Sequence, residues 1–115
     1  LLIEDHMDVR RTLVRLLESF SFTVMPTASG EEALELFDPA EPPDVIVTDI
    51  VLPNLNGLDV VEALRNVVPD LPAVFLSGIW SPASLKGPEF DHNSAFVAKP
   101  IEINALSQAL TDVLA

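Results

Sequence analysis

The sequence contains no cysteine, few basic residues and no long apolar run. Without cysteine the chain forms no disulfide and performs no thiolate chemistry, although this says little about its compartment. Six Lys and Arg residues stand against eighteen Asp and Glu residues, and the formal charge of -12 disfavours nucleic acid and anionic membranes as partners. No apolar stretch approaches the roughly 18 to 20 residues that span a bilayer. We therefore expect a soluble domain that binds neither DNA nor membrane by itself.

The length and composition suit one domain, since 115 residues with 49% hydrophobic content are enough for a single core. The sequence opens on Leu1, inside an apparent strand and without an initiator Met. We expect residues 1–115 to be a single domain excised from a longer protein.

Strand and helix patterns alternate along the chain. The predicted strands are 1–3, 23–25, 44–49, 73–76 and 95–98. Apolar residues at helical spacing predict helices with these buried faces: Val9, Leu13, Leu16, Leu17 and Phe20; Ala33, Leu34 and Phe37; Leu58, Val61, Leu64 and Val68; Ile103, Leu106, Leu110 and Val113. Ser29 with Glu32 predicts a capping box at the start of the second helix. Strands that are apolar on both faces and alternate with helices indicate a doubly wound parallel sheet with helices on both faces.

Polar side chains follow four of these strands. Glu4 and Asp5 follow the first, Asp49 ends the third, Ser77 follows the fourth and Lys99 follows the fifth. In open α/β sheets the ligand crevice lies at the carboxyl ends of the strands. Three neighbouring carboxylates require a positive partner, and a hard cation such as Mg²⁺ suits oxygen ligands best. One carboxylate can then act as a nucleophile toward phosphorus.

In order and spacing, these residues resemble the receiver domains of two-component response regulators, essentially from Leu1 to Ala115. The matching motifs are Glu4-Asp5, Asp49 with Pro53 and Gly57 behind it, Ser77-Gly78 and Lys99-Pro100. The resemblance implies a flavodoxin-like fold with strand order 2-1-3-4-5. It also implies a cytoplasmic signalling switch, not an enzyme beyond slow autophosphatase activity.

The resemblance implies a role for each site residue. Asp49 would accept a phosphoryl group from a histidine kinase or a histidine phosphotransfer domain. Asp5, Asp49 and the carbonyl of Val51 would bind Mg²⁺, and Glu4 would act through water. Lys99 and Ser77 would hold the phosphoryl oxygens, and Phe96 would be the aromatic switch that turns inward after phosphorylation.

Simpler interpretations of single residues stay open. Glu4 is also compatible with a solvated acid at the sheet rim, and Phe96 with an ordinary core residue. Ser77 before Gly78 is also compatible with a turn, and Lys99 with a surface ammonium. One unpaired His6 is weak support for a metal ligand. The three arginines of the first helix, Arg10, Arg11 and Arg15, are most simply a solvated face, although partners dock on that helix in the resembled family.

The segment between the fourth and fifth predicted strands departs from the usual receiver pattern. Pro82, Gly87 and Pro88 interrupt it, so we expect the helix there to be short or irregular. This leaves homodimerisation through that helix open. The residues two positions beyond Asp49 and Ser77 are the apolar Val51 and Ile79. In the resembled family these positions flank the path of the hydrolytic water, which predicts slow autodephosphorylation.

Three classes of function compete at this point. The first is a phosphorylation-operated switch, either attached to a hybrid histidine kinase or part of a separate regulator. The second is a receiver-like scaffold that binds partners without phosphorylation. The third is a Mg²⁺-dependent phosphatase with an Asp nucleophile, which would need an acid where Val51 stands. The intact set of acids, hydroxyl and lysine favours the first.

Overall fold

The sheet joins five parallel strands. The computed structural model describes residues 1–78 and 93–115. Its elements in chain order are β1 (Leu2–Ile3), α1 (Met7–Ser19), β2 (Pro26–Thr27), α2 (Gly30–Leu36), β3 (Ile46–Asp49), α3 (Gly57–Arg65), β4 (Ala73–Ser77), β5 (Ser94–Ala98) and α4 (Ile103–Leu114). The strand order is β2-β1-β3-β4-β5, and every neighbouring pair is parallel. The predicted doubly wound fold and its strand order are therefore confirmed.

Two apolar clusters cover the two faces of this sheet. On one face α1 and α4 contribute Leu13, Leu17, Leu106 and Leu110, which pack with alternate residues of the central strands. On the other face α2 and α3 contribute Ala33, Val60, Val61 and Leu64. Successive strand residues point to opposite faces, so Ile46 and Val47 lie in different clusters. Burial on both sides explains why the strands are continuous apolar runs.

Strand register brings the polar strand ends to one edge. Asp49 of β3 pairs with Leu76 of β4, and Ser77 pairs with Ala98 of β5. The backbone N–H of Lys99 then donates to the carbonyl of Ser77 at 3.0 Å. Because all strands run in the same direction, the residues that follow them meet at the carboxyl edge.

Side-chain caps fix where α2 and α3 begin. Ser29 Oγ accepts from the Glu32 N–H at 3.1 Å, and Glu32 Oε1 accepts from the Ala28 N–H at 2.7 Å. The predicted pairing of Ser29 with Glu32 is confirmed, although the glutamate binds the amide one residue earlier than in the usual capping box. At α3 the Asn56 side chain accepts from the Asp59 N–H at 2.9 Å.

Some predicted boundaries were wrong. The second strand is Pro26–Thr27, not 23–25, because β1 pairs with the carbonyls of Met25 and Thr27. Edge strands of this kind are set by pairing partners more than by their own apolar pattern. Helix α3 ends at Arg65, before Val68. Ile103 was predicted on the buried face of the last helix but is 57% exposed, because it is the first residue of α4 and precedes the turn that packs on the sheet.

The predicted irregular helix between β4 and β5 lies outside the described residues, as does Ile79. Across the described ranges, every helix is too short or too polar to traverse a bilayer.

Candidate functional site

Three carboxylates meet at the carboxyl edge of the sheet. Glu4 and Asp5 directly follow β1, and Asp49 is the last residue of the adjacent β3. One carboxylate oxygen from each residue lies within 4.8 Å of the corresponding atoms of the other two. The acids that the sequence placed at separate strand ends therefore form one cluster.

Lys99 provides the positive charge of this cluster. Its Nζ donates to Asp49 Oδ2 at 2.6 Å and to Glu4 Oε1 at 3.1 Å. The lysine follows β5, so its side chain reaches past the end of β4 to the acids of β1 and β3. One ammonium thus bridges two of the three carboxylates, and the alternative of a simple surface lysine is excluded by this geometry.

The three acids differ sharply in exposure. Asp5 is exposed, Asp49 is 7% exposed and Glu4 is 0% exposed. Burial is the main cause that raises the pKa of Glu4 to about 7, and the nearby Asp49 raises it as well, while Lys99 acts in the opposite direction. The alternative of Glu4 as a solvated rim acid is therefore wrong.

The ammonium of Lys99 responds to the same neighbours. Burial alone would lower the pKa of Lys99, but its hydrogen bonds and charge interactions with Asp49 and Glu4 outweigh burial and raise that pKa. Lys99 therefore stays charged across the physiological range. A permanent cation at this point can bind an anionic oxygen that approaches Asp49.

The donor set fits a hard divalent cation. Asp5 offers a solvent-facing carboxylate, and Asp49 Oδ1 accepts only a long hydrogen bond of 3.3 Å from the Val51 N–H. Glu4 Oε2 is buried and has no hydrogen-bond partner among the described residues. Carboxylate oxygens with spare lone pairs match the preferences of Mg²⁺.

The backbone around Asp49 is held on two sides. The Ile50 N–H donates to the Leu76 carbonyl at 3.0 Å, and the Ile50 carbonyl accepts from the Gly57 N–H at 2.9 Å. A Cβ atom at Gly57 would lie 2.1 Å from the Asp49 carbonyl oxygen. The absence of a side chain at Gly57 is therefore what lets α3 begin against the end of β3.

Three other predicted site residues lie around the cluster. Ser77 is buried at the end of β4, next to Lys99 through the backbone hydrogen bond described above. Phe96 is half-buried on β5 and packs with the apolar core on the face of the sheet that α2 and α3 cover. Val51 is 50% exposed at the mouth of the site. His6 is exposed and does not belong to the acidic cluster.

One residue near the site was interpreted wrongly from the sequence. Arg10 was assigned to a solvated helix face with Arg11 and Arg15, but it is half-buried. Its Nη1 donates to the Glu4 carbonyl at 2.9 Å. Arg11 and Arg15 are exposed, as predicted. Arg10 lies about one turn into the helix that follows the acidic pair. This position is the sequence feature that could have indicated its contact with the Glu4 carbonyl.

Comparisons with known proteins agree with the fold. Residues 1–111 match the family model described as response regulator receiver domain. The sensor kinase CckA of Brucella abortus (strain 2308) is 34% identical over 115 residues, which are 99% of this chain and 12% of that protein. The response regulator receiver protein CpdR of the same organism is 29% identical over 114 residues, covering 99% of this chain and 94% of that protein. A crystal structure of the receiver domain from the hybrid histidine kinase CckA superposes with a TM-score of 0.79 at 25% identity, covering 99% of this chain and 96% of that one.

Proposed function

Because this chain belongs to the response regulator receiver domain family of two-component signalling, we propose that Asp49 accepts a phosphoryl group from a phosphohistidine donor. The observation that carries the proposal is Asp49 at the carboxyl end of β3, with the Lys99 ammonium 2.6 Å from Oδ2 and two more acids beside it. In this proposal residues 1–115 are one receiver module of a longer signalling protein.

The transfer needs one nucleophile and a means of holding charge. An Asp49 Oδ atom attacks phosphorus, an O–P bond forms, the histidine N–P bond breaks and its electron pair stays on the histidine nitrogen. Lys99 Nζ then binds a phosphoryl oxygen, and the Ser77 hydroxyl binds a second. Both groups act where negative charge accumulates.

Asp5, Asp49 and the Val51 carbonyl would hold Mg²⁺, with Glu4 bound through water. Mg²⁺ supplies a positive charge that stabilises the transferring phosphoryl oxygens. The unpartnered Glu4 Oε2 and the exposed Asp5 carboxylate support this division between direct and water-mediated ligands. Glu4 Oε1 is already engaged by Lys99, which leaves a single oxygen for that water.

The output in this proposal passes through β4 and β5. Ser77 is buried at the end of β4 beside Lys99, and Phe96 lies three residues before Lys99 on β5 with only partial burial. Movement of the Ser77 hydroxyl toward the phosphoryl group would leave room for the Phe96 ring to turn inward. The surface along these two strands would then differ between the two states.

The donor in this proposal docks on α1. The groove along that helix is lined by three arginines and one acid, together with apolar side chains: Arg10, Arg11, Arg15, Glu18, Met7, Val14 and Pro26. These arginines are three of the six basic residues in a chain of charge -12. They complement an acidic or phosphorylated surface on a histidine kinase or phosphotransfer domain.

We expect incubation with Mg²⁺ and acetyl phosphate to add about 80 Da, the mass of one phosphoryl group, to the intact protein. The adduct should be absent in Asp49→Asn and in chelator. Intact mass spectrometry measures both. Asp59→Asn, which changes an exposed aspartate in the first turn of α3, is the matched control and should still gain the mass.

The mass measurement distinguishes the proposed phosphoacceptor from a scaffold that works without phosphorylation. An adduct that persists in Asp49→Asn would contradict the assignment of the acceptor. No adduct from either a small phosphodonor or a phosphorylated histidine protein would favour a receiver-like scaffold that binds partners without phosphorylation.

The phosphorylated state should hydrolyse slowly, because an apolar side chain stands at Val51 beside Asp49. Val51→Glu places a carboxylate that can orient the attacking water, so we expect a shorter lifetime in that variant. Loss of the mass adduct over time measures the rate. Val67→Glu, at another exposed valine remote from the cluster, is the control. A wild-type half-life of minutes or less in Mg²⁺ would contradict this prediction.

A further inference from the structure

The loop that carries the first two acids is attached to a single residue of α1. Arg10 Nη1 donates to the Glu4 carbonyl at 2.9 Å and lies 3.5 Å from the Asp5 carbonyl oxygen. The backbone N–H of Arg10 donates to the His6 carbonyl at 2.9 Å. Three successive carbonyl oxygens, from Glu4 to His6, therefore face the same arginine.

This attachment matters most for Asp5. Its side chain is exposed and makes no hydrogen bond or ion pair among residues 1–78 and 93–115. The direction of its carboxylate toward Asp49 therefore depends on the backbone of the loop. Mutual repulsion among the three carboxylates acts to move that loop outward. The hydrogen bonds from the guanidinium oppose this movement.

We propose that Arg10 is a positioning residue for the Mg²⁺ site, holding the loop so that Asp5 faces Asp49. The inference rests on the proposed function, because it assigns a support to the same cation site. Residues that orient metal ligands from outside commonly contribute about 10- to 100-fold to metal affinity. Both side-chain contacts come from one nitrogen, Nη1, whose two N–H groups can each donate to one of the two carbonyls.

A charge effect and a positioning effect of Arg10 predict opposite changes in Mg²⁺ affinity, and this makes the inference testable. A cation near the site repels Mg²⁺, so removing Arg10 only as a charge would tighten Mg²⁺ binding. Removing it as a support would weaken Mg²⁺ binding. Arg11, the next residue of α1, is exposed and makes no hydrogen bond or ion pair within the described parts of the chain. Arg11→Met therefore changes the charge alone.

The experiment is a Mg²⁺ titration of the wild type, Arg10→Met, Arg10→Lys and Arg11→Met, followed by amide chemical shifts. We expect Arg10→Met to bind Mg²⁺ about tenfold more weakly or worse. Arg11→Met should change the dissociation constant by about twofold or less, and toward tighter binding. Arg10→Lys keeps the charge, but its side chain is shorter than the path to Nη1, so it should also weaken binding. The amide signals of Asp5 and His6 should shift in both Arg10 variants before Mg²⁺ is added.

The inference is overturned if Arg10→Met binds Mg²⁺ as tightly as Arg11→Met does. If Arg10→Met fails to fold, Arg10→Lys decides in the same way, because unchanged affinity in that variant also overturns it. A wild type that binds no Mg²⁺ overturns the proposed cation site and this inference with it. Weak binding restricted to the Arg10 variants leaves the proposed function intact and supports the inference.

Discussion

Gly57→Ala is expected to destabilise the protein by about 3 kcal/mol or more, the upper range for overpacking a buried site. The added Cβ would lie 2.1 Å from the Asp49 carbonyl oxygen and 3.0 Å from Thr48 Oγ1. Alanine gains at most about 1 kcal/mol over glycine in helix propensity, so the clash decides the sign. Relief requires α3 to move away from β3, and that movement displaces Asp49.

A graded series of glycine substitutions makes this prediction specific. A Cβ at Gly30, which like Gly57 is the first residue of its helix, would meet Val60 Cγ2 at 2.6 Å, a longer approach than at Gly57 and to a side chain in place of backbone. Among the residues that the structure describes, a Cβ at Gly78 would meet only Lys99 Cβ at 3.6 Å, an ordinary contact. Urea denaturation should therefore rank the losses as Gly57→Ala, then Gly30→Ala, then Gly78→Ala. Wild-type stability in Gly57→Ala would contradict the close approach of α3 to β3.

Phosphoryl uptake provides a second measurement on the same variants. Because relief of the clash displaces Asp49 from Lys99, Gly57→Ala should accept phosphate slowly even under conditions where it is folded. A Cβ at Gly30 would meet Leu55 and Val60 and not the backbone of Asp49, so Gly30→Ala should lose less uptake than Gly57→Ala.

The fold was predictable where burial imposes a pattern. The central strands β3 and β4 are apolar on both faces, and the sequence located each to within two residues at either end. Strand β2 lies at the sheet edge, where pairing with β1 sets the position and the local pattern does not. The error at Ile103 has a similar cause, since helical periodicity does not reveal where a helix leaves the sheet.

The site was predictable where function needs particular side chains. The grouping of Asp49, Asp5 and Lys99 was predictable because each follows or ends a parallel strand, and parallel strands bring such residues to one edge. The support from Arg10 was missed because it binds backbone carbonyls, which are present at every residue, so that its position in the first turns of α1 was the one sequence feature pointing to the contact. The complete burial of Glu4 was also missed, since an acid after a strand is usually solvated.

The burial of Glu4 predicts a specific pH dependence of stability. In chelator, Glu4 of the folded protein has a pKa of about 7, whereas the ordinary pKa of a glutamate is 4.5. The folded state therefore keeps the Glu4 proton to a higher pH than the unfolded chain does. The stabilising contribution of the neutral form is therefore complete below pH 4.5 and is lost as the pH rises through about 7. We expect the wild type to lose about 3 kcal/mol relative to Glu4→Gln over this range, because each pKa unit between the folded and unfolded states corresponds to about 1.4 kcal/mol.

Urea denaturation of the wild type and Glu4→Gln across this pH range measures the effect. Glutamine keeps the shape of the neutral acid and cannot ionise, so the difference between the two proteins isolates Glu4 from the other carboxylates. Glu35→Gln, at an exposed position of α2, removes the same charge and should follow the wild type. Saturating Mg²⁺ should offset the loss at high pH, because a ligand that binds the folded protein with ionised acids stabilises that form. Parallel curves for the wild type and Glu4→Gln in chelator would show that Glu4 ionises as easily in the fold as in the unfolded chain.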